Sequence, residues 1–319
     1  MATKTLVSSP SSKVSASAKA PAKESFSEVL LSNEAVSLCL LVNRRQGNLR
    51  VIDFRAGPTP AKRSQILATA RREGVEKVYT LVERDEVVTW AKMGFVREGS
   101  IPGFYRRSDA AVMGIVVSTA RPLSPLVSLG PDADDDDYAD EVPVTAAWAL
   151  SERTITRAKK FVKDVDLELP SVKLAKVSEA DAKKAVSAAH KKGGALTGFE
   201  PFGRDAQRST YACATRGNTL YVSVEAQPFF HNSLLELLSA PKNDAERLSA
   251  TAAVAAITER LRAEGASASF AVGPADDALL AATFMANGFR RSAALSQHVV
   301  VDGERKDAVV WSKKLTLAD

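Results

Sequence analysis

The sequence predicts an α/β protein of the α+β kind: two similar lobes, each a mixed, mostly antiparallel sheet flanked by helices. Three observations carry this. First, 319 residues suggest two domains at ~150 residues each. Second, two stretches repeat one order of strands and helices with the same punctuation, and self-similarity of this kind marks a duplicated unit. Third, a proline-rich acidic block stands between them. The composition, 45% hydrophobic and 25% charged, is that of a globular chain. It excludes a disordered chain, a collagen-like fibre and a disulfide scaffold.

Residues 1–24 are rich in Ser, Ala and Lys and lack an apolar signal core. They read as a disordered tail. Residues 25–121 form the first lobe. Strand patterns at 27–31, 36–42 and 49–54 lead to a helix over 64–72 that ends at Glu73-Gly74. A strand over 77–82 and a helix over 85–92 follow, the latter stopping at Gly94-Phe95. Strands near 96–105 and 110–117 close the lobe. Residues 122–145 carry four prolines, seven acidic residues and no Lys or Arg. Proline and like charge prevent a packed core, so this is a linker.

Residues 146–319 form the second lobe. It opens with extra elements: a helix over 146–165, a strand over 172–177 and a helix over 179–191 capped by Ser178. Then the repeat returns. Strands lie at 210–214, 220–225 and 233–238. A helix over 245–262 ends at Glu264-Gly265. A strand over 269–272 precedes a helix over 276–285 that stops at Gly288-Phe289. Strands near 295–301 and 308–311 end the lobe. Asp109-Ala110 and Asp307-Ala308 open the last strand of each copy.

The net charge of +5 does not signal nucleic acid, because the acidic linker offsets two basic lobes. No apolar run approaches ~18 residues, so no membrane span is expected. Cys39 and Cys213 sit in separate apolar runs and read as buried thiols; with three histidines they offer no metal spacing. A cytoplasmic location is expected.

The order of elements resembles that of the GNAT superfamily of N-acetyltransferases. The ends of the lobes narrow the likeness to beta-lysine N-acetyltransferases. Gly94-Phe95, Glu98-Gly99, Ile101-Pro102-Gly103-Phe104-Tyr105 and Asp109-Ala110 are similar to the end of their first lobe. Thr283-Phe284, Gly288-Phe289 and Val310-Trp311 are similar to the end of their second, and Phe199-Glu200-Pro201-Phe202 to their aromatic-proline stretch.

The resemblance implies acetyl-CoA as cosubstrate, held between two separating strands, with its pyrophosphate on a helix N-terminus. The nearest match to the expected phosphate loop is Arg247-Leu-Ser-Ala250-Thr-Ala252, where Ala250 replaces a glycine. Lys242 and Asn243 precede the helix and would add phosphate contacts. In the first lobe Pro58 and Pro60 remove N–H donors from the equivalent stretch. Trp90 and Phe284 stand where many members have a proton-donating Tyr, and read as core anchors. Glu236 corresponds to the acid of the family's fourth strand and is the expected base. Glu225 and His298 are the expected substrate-facing residues.

Two readings follow. One is acetyl transfer to a small amine of the beta-lysine kind by the second lobe. The other is a catalytically inactive interaction or scaffold protein with a protein partner. The lobes are expected to pair as a pseudo-dimer, or the chain as a homodimer.

Overall fold

A computed structural model describes residues 24–34, 36–55, 57–120, 142–162, 169–204 and 206–315. The expected tail and acidic linker fall, apart from their last residues, outside the described residues. The first lobe runs β1 (Phe26–Ser32), β2 (Ser37–Asn43), β3 (Asn48–Asp53), α1 (Pro60–Glu73), β4 (Lys77–Val82), α2 (Val87–Lys92), β5 (Val96–Ile101) and β6 (Ala110–Val116). The second runs α3 (Ala146–Val162), β7 (Lys173–Lys176), α4 (Glu179–Lys192), β8 (Gln207–Thr215), β9 (Asn218–Gln227), β10 (Asn232–Leu237), α5 (Asp244–Ala263), β11 (Ala268–Pro274), α6 (Ala278–Ala286), β12 (Arg290–Val301) and β13 (Glu304–Lys314).

The helix ends follow local chemistry. Thr59 caps α1, its hydroxyl accepting from the Lys62 N–H, and Pro60 sits where its missing N–H does no harm. Gly74 ends α1 at φ 68°, a left-handed conformation that Cβ disfavours. Asp277 caps α6 through the Leu280 N–H.

All thirteen strands join one sheet, in the order β1-β2-β3-β4-β6-β5-β12-β13-β11-β10-β9-β8-β7. Apart from β7 at the far edge, the order reads the same from both ends, lobe one into lobe two, and the lobes are joined edge to edge at β5 and β12. At the seam, Gly99 lies opposite Ala293. Every pairing is antiparallel except β3 with β4 and β10 with β11, which are parallel.

Each lobe packs its central helices on one face of its sheet, whereas α4 of the second lobe lies on the other face, where Val186 meets Phe199 and Leu238. In the second lobe Leu235, Val254, Ile257, Ala271, Leu280 and Trp311 share that core. In the first, Leu40, Val51, Ile66, Trp90, Phe95 and Met113 do. A third core unites the lobes: Leu81, Ile101, Phe104 and Val112 meet Leu234, Phe270, Leu295 and Val310. The face without the central helices is thus buried between lobes.

Cys39 and Cys213 are free and buried. Burial pushes the two thiols up to about 11 and about 12. Trp90 stacks edge-on against Phe95, and Phe284 lies against Phe289 and parallel to Trp311, so both are packing anchors.

Several boundaries differ from expectation. The strand expected near 96–105 stops at Ile101, where Pro102-Gly103 turns the chain. The strand expected from 210 begins at Gln207. The helix expected from 85 is a single tight turn over Arg84–Glu86 followed by α2.

Candidate functional site

The parallel pair β10–β11 defines the site. The two strands pair from Asn232/Ala268 to Leu234/Phe270 and then separate. Past that point β10 keeps β9 as its partner on one side only. Side chains alternate along a strand. Leu235 and Leu237 face the helices, while Leu234 and Glu236 face the interlobe side.

Register explains a cluster on that side. Arg208 on β8 lies directly opposite Glu225 on β9, and Glu236 on β10 lies opposite Ser223, two residues from Glu225. The Arg208 guanidinium therefore bridges both carboxylates: it pairs with Glu225 and stands 2.9 Å from Glu236. Cross-strand opposite charges of this kind are favourable. Burial opposes the charge on Arg208, but Glu236 and Glu225 outweigh it and raise its pKa. Glu236 also accepts from the Thr197 hydroxyl at 2.8 Å. Burial raises the Glu236 pKa against the lowering influence of Arg208 and Thr197. A small cavity of about 80 Å³ lies beside Glu236, Thr197, Tyr79 and His298. A larger groove of about 830 Å³ opens beside Arg208, Glu225 and Glu200 towards α4.

Glu225 is not open to a substrate ammonium. It is 1% exposed and accepts from the backbone N–H groups of Phe202 and Gly203 besides Arg208. It anchors the aromatic-proline stretch. His298 is buried, edge-on to Tyr79 with ring centres 4.7 Å apart, in a bulge where the β12–β13 register shifts. Its carbonyl accepts from the Asn48 side chain in the first lobe, and its Nδ1 has no partner among the described residues. Burial, then Lys77 and Arg305, lower its pKa to about 3. Glu236 and His298 thus share one cavity, whereas Glu225 lines the neighbouring groove.

The phosphate end departs from expectation. Arg247, Ala250 and Ala252 lie inside α5, not in a turn before it, and Ala250 and Ala252 are buried. Arg247 is buried too, paired with Asp244 at 2.7 Å and over the Phe161 ring of α3. Asn243 is the N-cap: its side chain accepts from the Glu246 N–H, and its carbonyl from the Arg247 N–H. The Glu246 carboxylate in turn accepts from the Lys242 N–H and the Asn243 side chain. This reciprocal arrangement is a variant of the capping box, its return bond running to the N–H one residue before the cap. It engages the Glu246 and Lys242 N–H groups, and Asp244 and Glu246 place two carboxylates in the first turn, where they repel an anion. Lys242 is exposed, and it and Lys192 line one groove beside Glu246 without an ion pair among the described residues. A pyrophosphate does not fit this helix N-terminus.

The first lobe is closed differently. Lys62 is buried, and its ammonium donates to the Asp53 carboxylate and to the carbonyls of Arg55 and Gly57. It locks the loop that would receive phosphate.

Arg208, Thr197 and Glu200 escape a sequence reading. Two carboxylates on adjacent strands of one buried face demand a cation, but the strand bearing Arg208 extends three residues beyond its apolar signal. No His, Cys, Asp or Glu group among the described residues could hold a metal ion. No helix among them is long and apolar enough to cross a membrane.

Two like lobes, each with one parallel pair that separates, make this a duplicated α/β fold. No family model and no curated protein matches the chain. Solved structures do. The chain is similar to the ribosomal-protein-S18-alanine N-acetyltransferase from Escherichia coli, at 13% identity and TM-score 0.35, over 47% of this chain and 97% of that one. It is also similar to spermidine N-acetyltransferase from Vibrio cholerae, solved with CoA and spermine, at 10% identity and TM-score 0.37, over 45% of this chain and 95% of that one.

Proposed function

We propose that this chain is a non-catalytic, acetyltransferase-like binding protein. The capping box at the N-terminus of α5 carries the reading. Asn243, Asp244 and Glu246 close by hydrogen bonding and charge the place where acetyl-CoA phosphates would rest. The Lys62 lock repeats the outcome in the first lobe. Arg208 adds to it, because an amine substrate would have to displace a guanidinium held by two carboxylates.

A second reading is N-acetyl transfer to a small amine. The separation of β10 from β11 and the raised pKa of Glu236 favour it. A carboxylate of raised pKa beside a cavity could take the proton from an ammonium nucleophile.

An acetylation assay separates the two. Full-length protein is mixed with acetyl-CoA and a panel holding beta-lysine, spermidine and a peptide with an N-terminal alanine. The binding-protein reading expects no acetylated product above the protein-free rate. Product formation that Glu236→Gln abolishes would replace it with the second reading.

A further inference from the structure

A cavity of about 610 Å³ lies between the lobes where β3 and β4 of the first lobe part. That size is ordinary for a small-molecule site. Its walls are aromatic: Trp90 and Tyr105 come from the first lobe, Phe229 and Phe230 from the second. Tyr105 packs edge-on to Phe230 with ring centres 5.4 Å apart, and its hydroxyl donates to the Leu81 carbonyl. Phe229 is 84% exposed and Phe54 53% exposed, so two phenylalanines stand in solvent beside an apolar hollow. Exposed apolar surface around a concave site marks binding.

Two polar side chains in the same wall lack acceptors. Gln227 is 7% exposed, and its Nε2 has no partner among the described residues. Arg50 is 8% exposed; one terminal nitrogen donates to the Phe202 carbonyl at 2.7 Å, but its Nε has no partner. Its guanidinium lies 4.1 Å from the centre of the Phe202 ring. No described carboxylate lies within ion-pair distance of Arg50. Two other charged groups in the wall are held in ion pairs. Asp53 is held by Lys62, and Arg204 pairs with Glu28 at 3.0 Å. Glu86 has its pKa raised by burial, Asp85 and Asp53. A buried donor without an acceptor is unfavourable, and a ligand acceptor relieves it. A cationic guanidinium and an amide donor lining one cavity are groups a carboxylate can satisfy.

We infer that this cavity binds a small apolar carboxylate, its body among Trp90, Tyr105 and Phe230 and its carboxylate on Arg50 and Gln227. The cavity is distinct from the one beside Glu236, although Arg50 lines both, and the inference stands whether or not the second lobe acetylates.

Phenylbutyrate is the probe, with phenylbutylamine as the matched cation, each titrated calorimetrically into the full chain. Saturable binding of phenylbutyrate is expected, with phenylbutylamine weaker by about tenfold or more, since a charge-assisted hydrogen bond is worth that much. Gln227→Met should weaken phenylbutyrate by about tenfold. Arg50→Met should do so too, and circular dichroism checks that both variants fold; if Arg50→Met does not, Gln227→Met decides. No saturable binding of phenylbutyrate, equal binding of the amine, or wild-type affinity in folded Gln227→Met would each overturn the assignment.

Discussion

Replacing Lys77 by Met should destabilise the joined lobes severely. Lys77 and Glu98 form an ion pair at 2.6 Å with side chains 1% and 4% exposed. Glu98 reaches across the seam, accepting the Ser296 N–H of β12 at 2.9 Å. Methionine keeps the bulk of lysine but strands the Glu98 charge. That carboxylate retains one backbone donor, and its second oxygen has no partner among the described residues. Removing one member of a buried pair costs about 3–5 kcal/mol, and one surviving hydrogen bond places this case near 4 kcal/mol. Neutralising both members should cost less, about 1–2 kcal/mol for Lys77→Met with Glu98→Gln, because no charge is left unpaired. Urea denaturation followed by circular dichroism reads both values from the midpoint at unchanged slope. A single variant costing under about 1 kcal/mol, or a double variant no better than the single, would refute the reasoning.

The seam itself is testable at Gly99. Its φ is +136°, and a Cβ there would stand 2.4 Å from the Ala293 Cα and 2.5 Å from the Ser292 carbonyl oxygen. Gly99→Ala should lower stability by about 2 kcal/mol or more through overpacking against backbone. Gly217→Ala is the control: its φ is also positive, at +89°, but nothing lies within 4 Å. Equal thermal midpoints for the two variants would contradict a tight seam. His298 should make the fold acid-sensitive. Its folded pKa is lowered to about 3, so the unfolded chain takes up a proton that the folded chain refuses. Its contribution is intact above the unfolded value near 6.5 and is lost as pH falls towards about 3, at about 1.4 kcal/mol per pH unit. Wild type should therefore lose more stability between pH 7.5 and pH 5.5 than His298→Asn, by about 1 kcal/mol; parallel losses would contradict this. Arg208→Met should raise the Glu236 pKa further, since Arg208 is the main group lowering it. Carbonyl-detected titration of Glu236 checks the direction, and an unmoved or lowered value would count against the bridge.

Much of the fold is legible in the sequence because its signals are local. Helix ends at Gly74 and Gly265, strand periodicity and the two Gly-Phe stops concern neighbouring residues, and the repeat exposes the two lobes. The Glu-bearing strand over 232–237 was readable for the same reason. The site was less so. Glu225 and His298 look like half-exposed strand residues in one dimension, but the second layer that buries them comes from Phe202, Asn48 and Tyr79, more than 20 residues away in sequence. Arg208 and the Lys77–Glu98 pair carry no local signature, because charged residues look alike until pairing across strands brings them together. Placing Arg247, Ala250 and Ala252 in a turn failed for a different reason. Asn243 and Glu246 form a capping box that starts α5 at Asp244, and that four-residue signal outweighs a weak likeness to a phosphate loop.

A non-catalytic role requires that α5 refuse the phosphates of acetyl-CoA. Isothermal titration of the full chain with acetyl-CoA reads this without any acceptor present. No saturable heat is expected up to millimolar ligand, in wild type and Glu236→Gln alike. A micromolar Kd for the wild-type chain would contradict that role.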